Sequence, residues 1–158
     1  MAKSLNIKIV SLLPAASEML CDLGLIDNIH AVSHECNYPV LLKDKIQITS
    51  SNIPNNIEQK LIDDLVSEAI KNKLPLYNID TDKLNNINPD LIITQGLCDV
   101  CSISEHEIEV TLKNKRCILS SKSKIISLNG TSFDEICSDF LKVGKLVDKE
   151  DVASECFL

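Results

Sequence analysis

The side chains with the most chemical capacity in this chain are one histidine and three cysteines, held in two short runs. His34, Glu35 and Cys36 are consecutive, and Cys98 and Cys101 form a Cys-x-x-Cys pair. Three thiolates and an imidazole make a four-donor set that suits tetrahedral zinc or an iron–sulfur centre. The Cys-x-x-Cys pair also suits thiol–disulfide chemistry, because one thiol of such a pair is often acidified. Against both stands a plainer reading of buried, inert cysteines and a surface histidine. A lone Cys-x-x-Cys is common, so the choice depends on whether the fold brings the two runs together.

The elements that must position these runs can be read from apolar spacing. Ile7 to Leu12 has the continuous apolar, β-branched character of a buried parallel strand. Pro14 and Ala15 make a turn into a helix over Ser17 to Leu23, which Gly24 stops. Ile29 to Ser33 reads as a second strand, and His34 to Pro39 as a loop. Ser50 to Asn56 is polar and turn-rich. Ile57 to Lys73 is expected to be a helix, with Leu61, Ile62, Leu65, Val66, Ala69 and Ile70 in one stripe. Leu76 to Ile79 is expected as a third strand, and Thr81 to Ile87 as a short helix capped by Asp80 or Thr81. A fourth strand covers Leu91 to Thr94, followed by a loop from Gln95 to Ile103 and a helix from Ser104 to Asn114. Arg116 to Leu119 and Lys124 to Leu128 are further strands. A last helix begins at Thr131, with Thr131 or Ser132 as cap and Glu135 placed for a capping box, and is expected to run on toward Leu158.

This alternation predicts an α/β chain: a three-layer αβα lobe with a mainly parallel sheet. Ligands on such sheets bind beyond the carboxyl ends of the strands. That rule selects the loops Leu13 to Ser17, His34 to Pro39 and Gln95 to Ile103. Both chemically capable runs fall within them.

Composition narrows the class of function. The chain has 158 residues and a net charge of −7, which disfavours nucleic-acid backbones as partners. Aromatic residues make up only 3% of it, so stacking surfaces for single-stranded nucleic acid are scarce. The four glycines form neither a dinucleotide fingerprint nor a phosphate loop, and no nucleophile elbow is present. No apolar run is long enough to span a membrane. The N-terminus lacks the pattern of a secretory signal, so a cytoplasmic location is expected, or an extracytoplasmic one if the N-terminus is incomplete. Seven cysteines, an odd number, argue against a disulfide framework.

Four segments in order carry a family resemblance: IVSLLPAASEMLCDLGL, VSHECNYP, NINPDLIITQGLCDVC and IISLNGTSFDEICSDFLKVGKLVDKED. Together they resemble the cobalamin-binding branch of the ABC-transporter substrate-binding proteins, the receptors for cobalamin and iron-siderophores. The resemblance implies a non-enzymatic binding lobe for cobalamin or a similar metal chelate. It divides the chain into a ligand-binding lobe over 1–130 and, over 131–158, the start of the helix that joins two lobes, with the second lobe absent. Pro14, Ala15, His34, Glu35, Cys36, Gln95, Gly96 and Leu97 then face the ligand. His34 or a cysteine becomes a candidate for ligating the corrin cobalt. Gln95 and Glu35 stand where related binders carry aromatic residues, which removes apolar contact with the ligand. Glu105 and Glu107 become candidates for docking onto an ABC permease, against the plainer reading of an acidic first helical turn. A separate chain supplying the second lobe is a further possible partner. The alternative is a small cytosolic metal-binding or thiol-redox protein that uses His34, Cys36, Cys98 and Cys101.

Overall fold

The computed structural model describes residues 6–72, 74–96, 108 and 123–157. Its strands are β1 (Ile9–Ser11), β2 (Ile29–Val32), β3 (Ile46–Gln47), β4 (Thr49–Ser51), β5 (Tyr77–Ile79), β6 (Leu91–Gln95) and β7 (Lys124–Leu128). Its helices are α1 (Pro14–Asp22), α2 (Gln59–Asn72), α3 (Thr81–Ile87), α4 (Phe133–Leu146) and α5 (Glu150–Glu155). Five strands form one parallel sheet in the order β3-β2-β1-β6-β7. The α/β prediction therefore holds.

Strand alternation sends successive side chains to opposite faces, and the core divides accordingly. Ile9, Leu91 and Ile93 point to one face, where Leu20 of α1 and Phe140 and Val143 of α4 cover them. Val10 and Ile92 point to the other, against Leu84 and Ile87 of α3 and Ile108. The result is three layers built almost entirely from aliphatic residues.

Local chemistry sets the helix ends. Pro14 opens α1, where its missing N–H costs nothing. The helix closes with a Schellman turn. Gly24 adopts φ +73°, the Leu25 N–H donates to the Leu20 carbonyl at 2.9 Å, and the Gly24 N–H donates to that of Cys21 at 2.9 Å. Leu20 and Leu25 then pack in the same cluster. Asp80 caps α3 through the Lys83 N–H at 3.0 Å.

Ser132 and Glu135 form the predicted capping box of α4. The Glu135 carboxylate accepts from the Thr131 N–H and hydroxyl, each at 2.7 Å, and from the Ser132 N–H at 3.2 Å. These bonds, that from the Thr131 N–H foremost, hold the carboxyl below its ordinary value of 4.5. A depressed carboxylate stabilises the fold above its unfolded value and loses that contribution as pH falls through the folded one. The thermal unfolding midpoint is therefore expected to decline as pH is lowered from neutrality through the range below 4.5. Glu135→Ala should flatten that part of the profile.

Two expectations need correction. Leu76 to Ile79 was expected in the parallel sheet, but β5 lies outside it and pairs antiparallel with β4 in a two-stranded ribbon (Thr49↔Ile79, Ser51↔Tyr77). The last helix was expected to continue unbroken, but α4 ends at Leu146, and Asp148 takes φ +53° in the turn that follows. α5 then folds back onto α4. A Cβ on Gly144 would stand 2.5 Å from the Ala153 Cβ, so the approach requires glycine.

Candidate functional site

The chain runs from β1 outward through β2 to β3, then returns to the far side of β1 to lay down β6 and β7. Strands β1 and β6 are thus the point where the winding reverses, the place where ligands bind on sheets of this kind. Leu12 to Pro14, Ser33 to Cys36, Gly96, and Asn129 with Gly130 all leave the sheet at this carboxyl edge.

Beneath the edge lies a set of small hydroxyl residues. Among the described residues the buried polar side chains are Ser11, Ser17, Ser33, Thr49 and Thr94. Ser11 ends β1, Ser33 follows β2, Thr49 begins β4 and Thr94 is next to last in β6. The Ser17 hydroxyl donates to the Ser11 hydroxyl at 2.8 Å and lies 3.2 Å from the Cys36 sulfur. The Ser11 hydroxyl donates to the Leu13 carbonyl at 3.1 Å.

Cys36 is 1% exposed and belongs to the core cluster under α1. Burial pushes its thiol up from an ordinary value of 9.0, against the Ser17 and Ser33 hydrogen bonds that favour the thiolate. A protonated core thiol is a poor metal ligand and a poor nucleophile. His34 takes other partners. Its backbone N–H donates to the Thr49 hydroxyl oxygen at 3.0 Å, and its Nδ1 lies 2.7 Å from the same oxygen. Thr49 and Ser33 hydroxyls are 3.1 Å apart, and the Glu35 N–H donates to Ser33 at 3.3 Å. The His34 ring leans on Tyr77 of β5, with centroids 5.7 Å apart. Its Nε2 is buried, stands 3.3 Å from a Glu35 carboxylate oxygen and makes no aligned hydrogen bond among the described residues.

The structure therefore brings Pro14, Ala15, His34, Glu35, Gln95 and Gly96 to one edge. Among the described residues, the His34 side chain bonds Thr49 while the Cys36 sulfur lies against Ser17 and Ser11. Leu97, Cys98, Cys101, Glu105 and Glu107 lie outside the described residues, as does the expected strand Arg116 to Leu119. Among the described residues no group of three or more His, Cys, Asp or Glu side chains is arranged to hold a metal ion.

Sequence reading passed over Thr49 and Asn129, which sit in polar runs without a recognisable pattern. A Cβ on Gly96 would fall 2.3 Å from the Asn129 Oδ1, so a side chain there would require Asn129 to turn aside. The Asn129 and Gly130 N–H groups both donate to Asp139 of α4 at 2.9 Å. Asp139→Ala leaves both donors without their carboxylate and should lower stability by about 1–2 kcal/mol in denaturant unfolding.

Comparison with solved structures settles what this architecture is. A possible iron-binding (periplasmic solute-binding) protein from Staphylococcus epidermidis matches with a TM-score of 0.61 and 25% identity, over 94% of this chain and 45% of that one. The chain has the fold of one lobe of an ABC-transporter substrate-binding protein. The periplasmic vitamin B12-binding protein BtuF of Vibrio cholerae matches this lobe with a TM-score of 0.61 and 18% identity, over 94% of this chain and 44% of that one. A periplasmic heme-binding protein from Pseudomonas aeruginosa matches with a TM-score of 0.62 and 13% identity, over 94% and 40%. The chain spans less than half the length of each of these neighbours. No protein-family model matches it, and no curated protein sequence does. These neighbours are described as periplasmic, so the expected cytoplasmic location finds no support in them. No helix among the described residues is long and apolar enough to cross a membrane.

Proposed function

We propose that this chain is a non-enzymatic, ligand-binding lobe for a metal chelate, with cobalamin the first ligand to test. The observation that carries the reading is the placement of the buried polar side chains. Ser11, Ser17, Ser33, Thr49 and Thr94 all lie near the carboxyl edge of the sheet, where the winding reverses. Buried hydroxyls cost free energy unless they are bonded, and a fold that concentrates them beneath one set of loops fixes those loops in place. Pro14 and Ala15, His34 and Glu35, and Gln95 and Gly96 are the surface thus fixed.

Solved neighbours with this fold carry descriptions naming vitamin B12, heme and iron, which supports a chelate as the ligand class. A permease and a second lobe, on this chain's continuation or on another chain, are the partners such a lobe needs. Ligand held by one lobe alone loses the contacts of the other, so weak binding is expected.

The test is an equilibrium titration of the whole chain with aquocobalamin, heme and a ferric siderophore, with metal content measured on the same sample. Saturable binding of one of these chelates, in metal-free protein, supports the reading. Binding of none, or stoichiometric zinc or iron retained on cysteines, would replace it.

A further inference from the structure

The sequence contains one Asn-Gly dipeptide, Asn129–Gly130, and it lies between β7 and α4 at the carboxyl edge. Asparagine followed by glycine is prone to deamidation, because no Cβ shields the backbone nitrogen that attacks the side chain. In this reaction the Gly130 nitrogen gives up its proton and bonds to the Asn129 Cγ. The Cγ–Nδ2 bond breaks, and ammonia leaves with a proton. Water then opens the resulting succinimide at either carbonyl, giving aspartate or isoaspartate. The net reaction consumes water, releases ammonia and needs no other reactant.

The fold leaves little freedom to avoid the pair. A Cβ on Gly130 would stand 2.8 Å from the Ile136 nitrogen and 3.0 Å from the Glu135 carbonyl carbon. Both are backbone atoms in the first turn of α4, so a larger residue would force the chain to shift. Asn129 is exposed to water. What the fold supplies is restraint. The N–H groups of Asn129 and Gly130 converge on one oxygen, Asp139 Oδ2, each at 2.9 Å. Those of Thr131 and Ser132 donate to Glu135 at 2.7 and 3.2 Å. Four consecutive N–H groups are thus bonded to two carboxylates of α4.

These bonds oppose both requirements of the reaction. The Gly130 nitrogen must lose the proton it donates to Asp139, and the anion formed there would face a carboxylate. The peptide plane must also turn toward Cγ, which breaks the bonds that hold it. We infer that Asn129–Gly130 is a latent deamidation site at the ligand edge, and that Asp139 is the residue that keeps it inert. The inference does not depend on which ligand binds. Conversion would place a new negative charge beside Gly96, against which the Asn129 Oδ1 lies. The isoaspartyl form would also lengthen the backbone of this loop by a methylene.

The experiment incubates the full chain at mildly alkaline pH and follows Asn129 by peptide mapping and mass spectrometry, beside a free peptide of residues 124–133. Wild type is expected to deamidate at least about tenfold more slowly than the peptide, the factor for one retained hydrogen bond to a charged group. Asp139→Ala is expected to react at least about tenfold faster than wild type, and faster than its unfolded fraction, obtained from denaturant unfolding, accounts for. Asp139→Asn keeps one carbonyl oxygen for both N–H groups and is expected to stay well below the peptide rate. Wild type as fast as the peptide overturns the inference. So does a folded Asp139→Ala as slow as wild type, or a folded Asp139→Asn as fast as the peptide. If Asp139→Ala does not fold, the wild-type and Asp139→Asn rates against the peptide decide.

Discussion

Truncating Leu20 to alanine lowers stability by about 2–5 kcal/mol, the range for emptying a well-packed aliphatic site. Leu20 is fully buried on the inner face of α1, in the cluster that also holds Ile9, Ile29 and Ile93. The same residue anchors the helix end, because its carbonyl accepts the Leu25 N–H and its side chain shares a cluster with that of Leu25. A cavity there therefore weakens both the packing of α1 on the sheet and the turn that leads into β2. Domains of this size have roughly 5–15 kcal/mol in total, so the loss is a large share. Denaturant unfolding monitored by circular dichroism measures it. A change under about 0.5 kcal/mol, as at a surface site, would show that α1 is not seated as described.

Ala15→Trp tests the ligand edge with the opposite signature. Ala15 is exposed in the first turn of α1, directly after the loop from β1. An indole there adds bulk at the carboxyl edge of the sheet without entering the core. Chelate affinity is expected to fall at least about a hundredfold, some 2.7 kcal/mol, while stability changes by less than about 0.5 kcal/mol. Titration and unfolding on one preparation separate the two effects. Unchanged affinity in a chain that binds the chelate would move the ligand away from this edge.

How far the fold could be read depended on how local the signal was. β1, α1 and β6 were legible because each carries a dense apolar pattern with a stop or a start beside it: Gly24 after α1, Pro89-Asp90 before β6. The Ser132–Glu135 box was legible because capping is written in four consecutive residues. β3 and β4 were not. They are two and three residues long, and β4 is defined by pairing with β5, so no alternation within the strand could reveal it. The break after Leu146 was missed because no glycine or proline marks it. Asp148 adopts the left-handed conformation instead.

The site divides along the same line. His34 and Glu35 stood out by residue type, and the strand order brought them to the expected edge. Cys36, which looked like their partner, takes Ser17 and Ser11 as its neighbours instead. Thr49 could not be found, because its importance comes from bonds to residues 15 and 16 positions earlier.

The central position of β1 also sets a timetable for synthesis. One of its neighbours, β2, follows soon in the chain, but the other is β6, and the Lys8 N–H that closes this seam donates to Asp90, 82 positions later. At about 5–20 residues per second, a ribosome leaves one flank of β1 open for on the order of 4–16 s. Over that interval one flank of a strand whose three residues are all buried in the finished lobe is an unpaired edge. The nascent chain is therefore expected to need shielding there more than at any later stage.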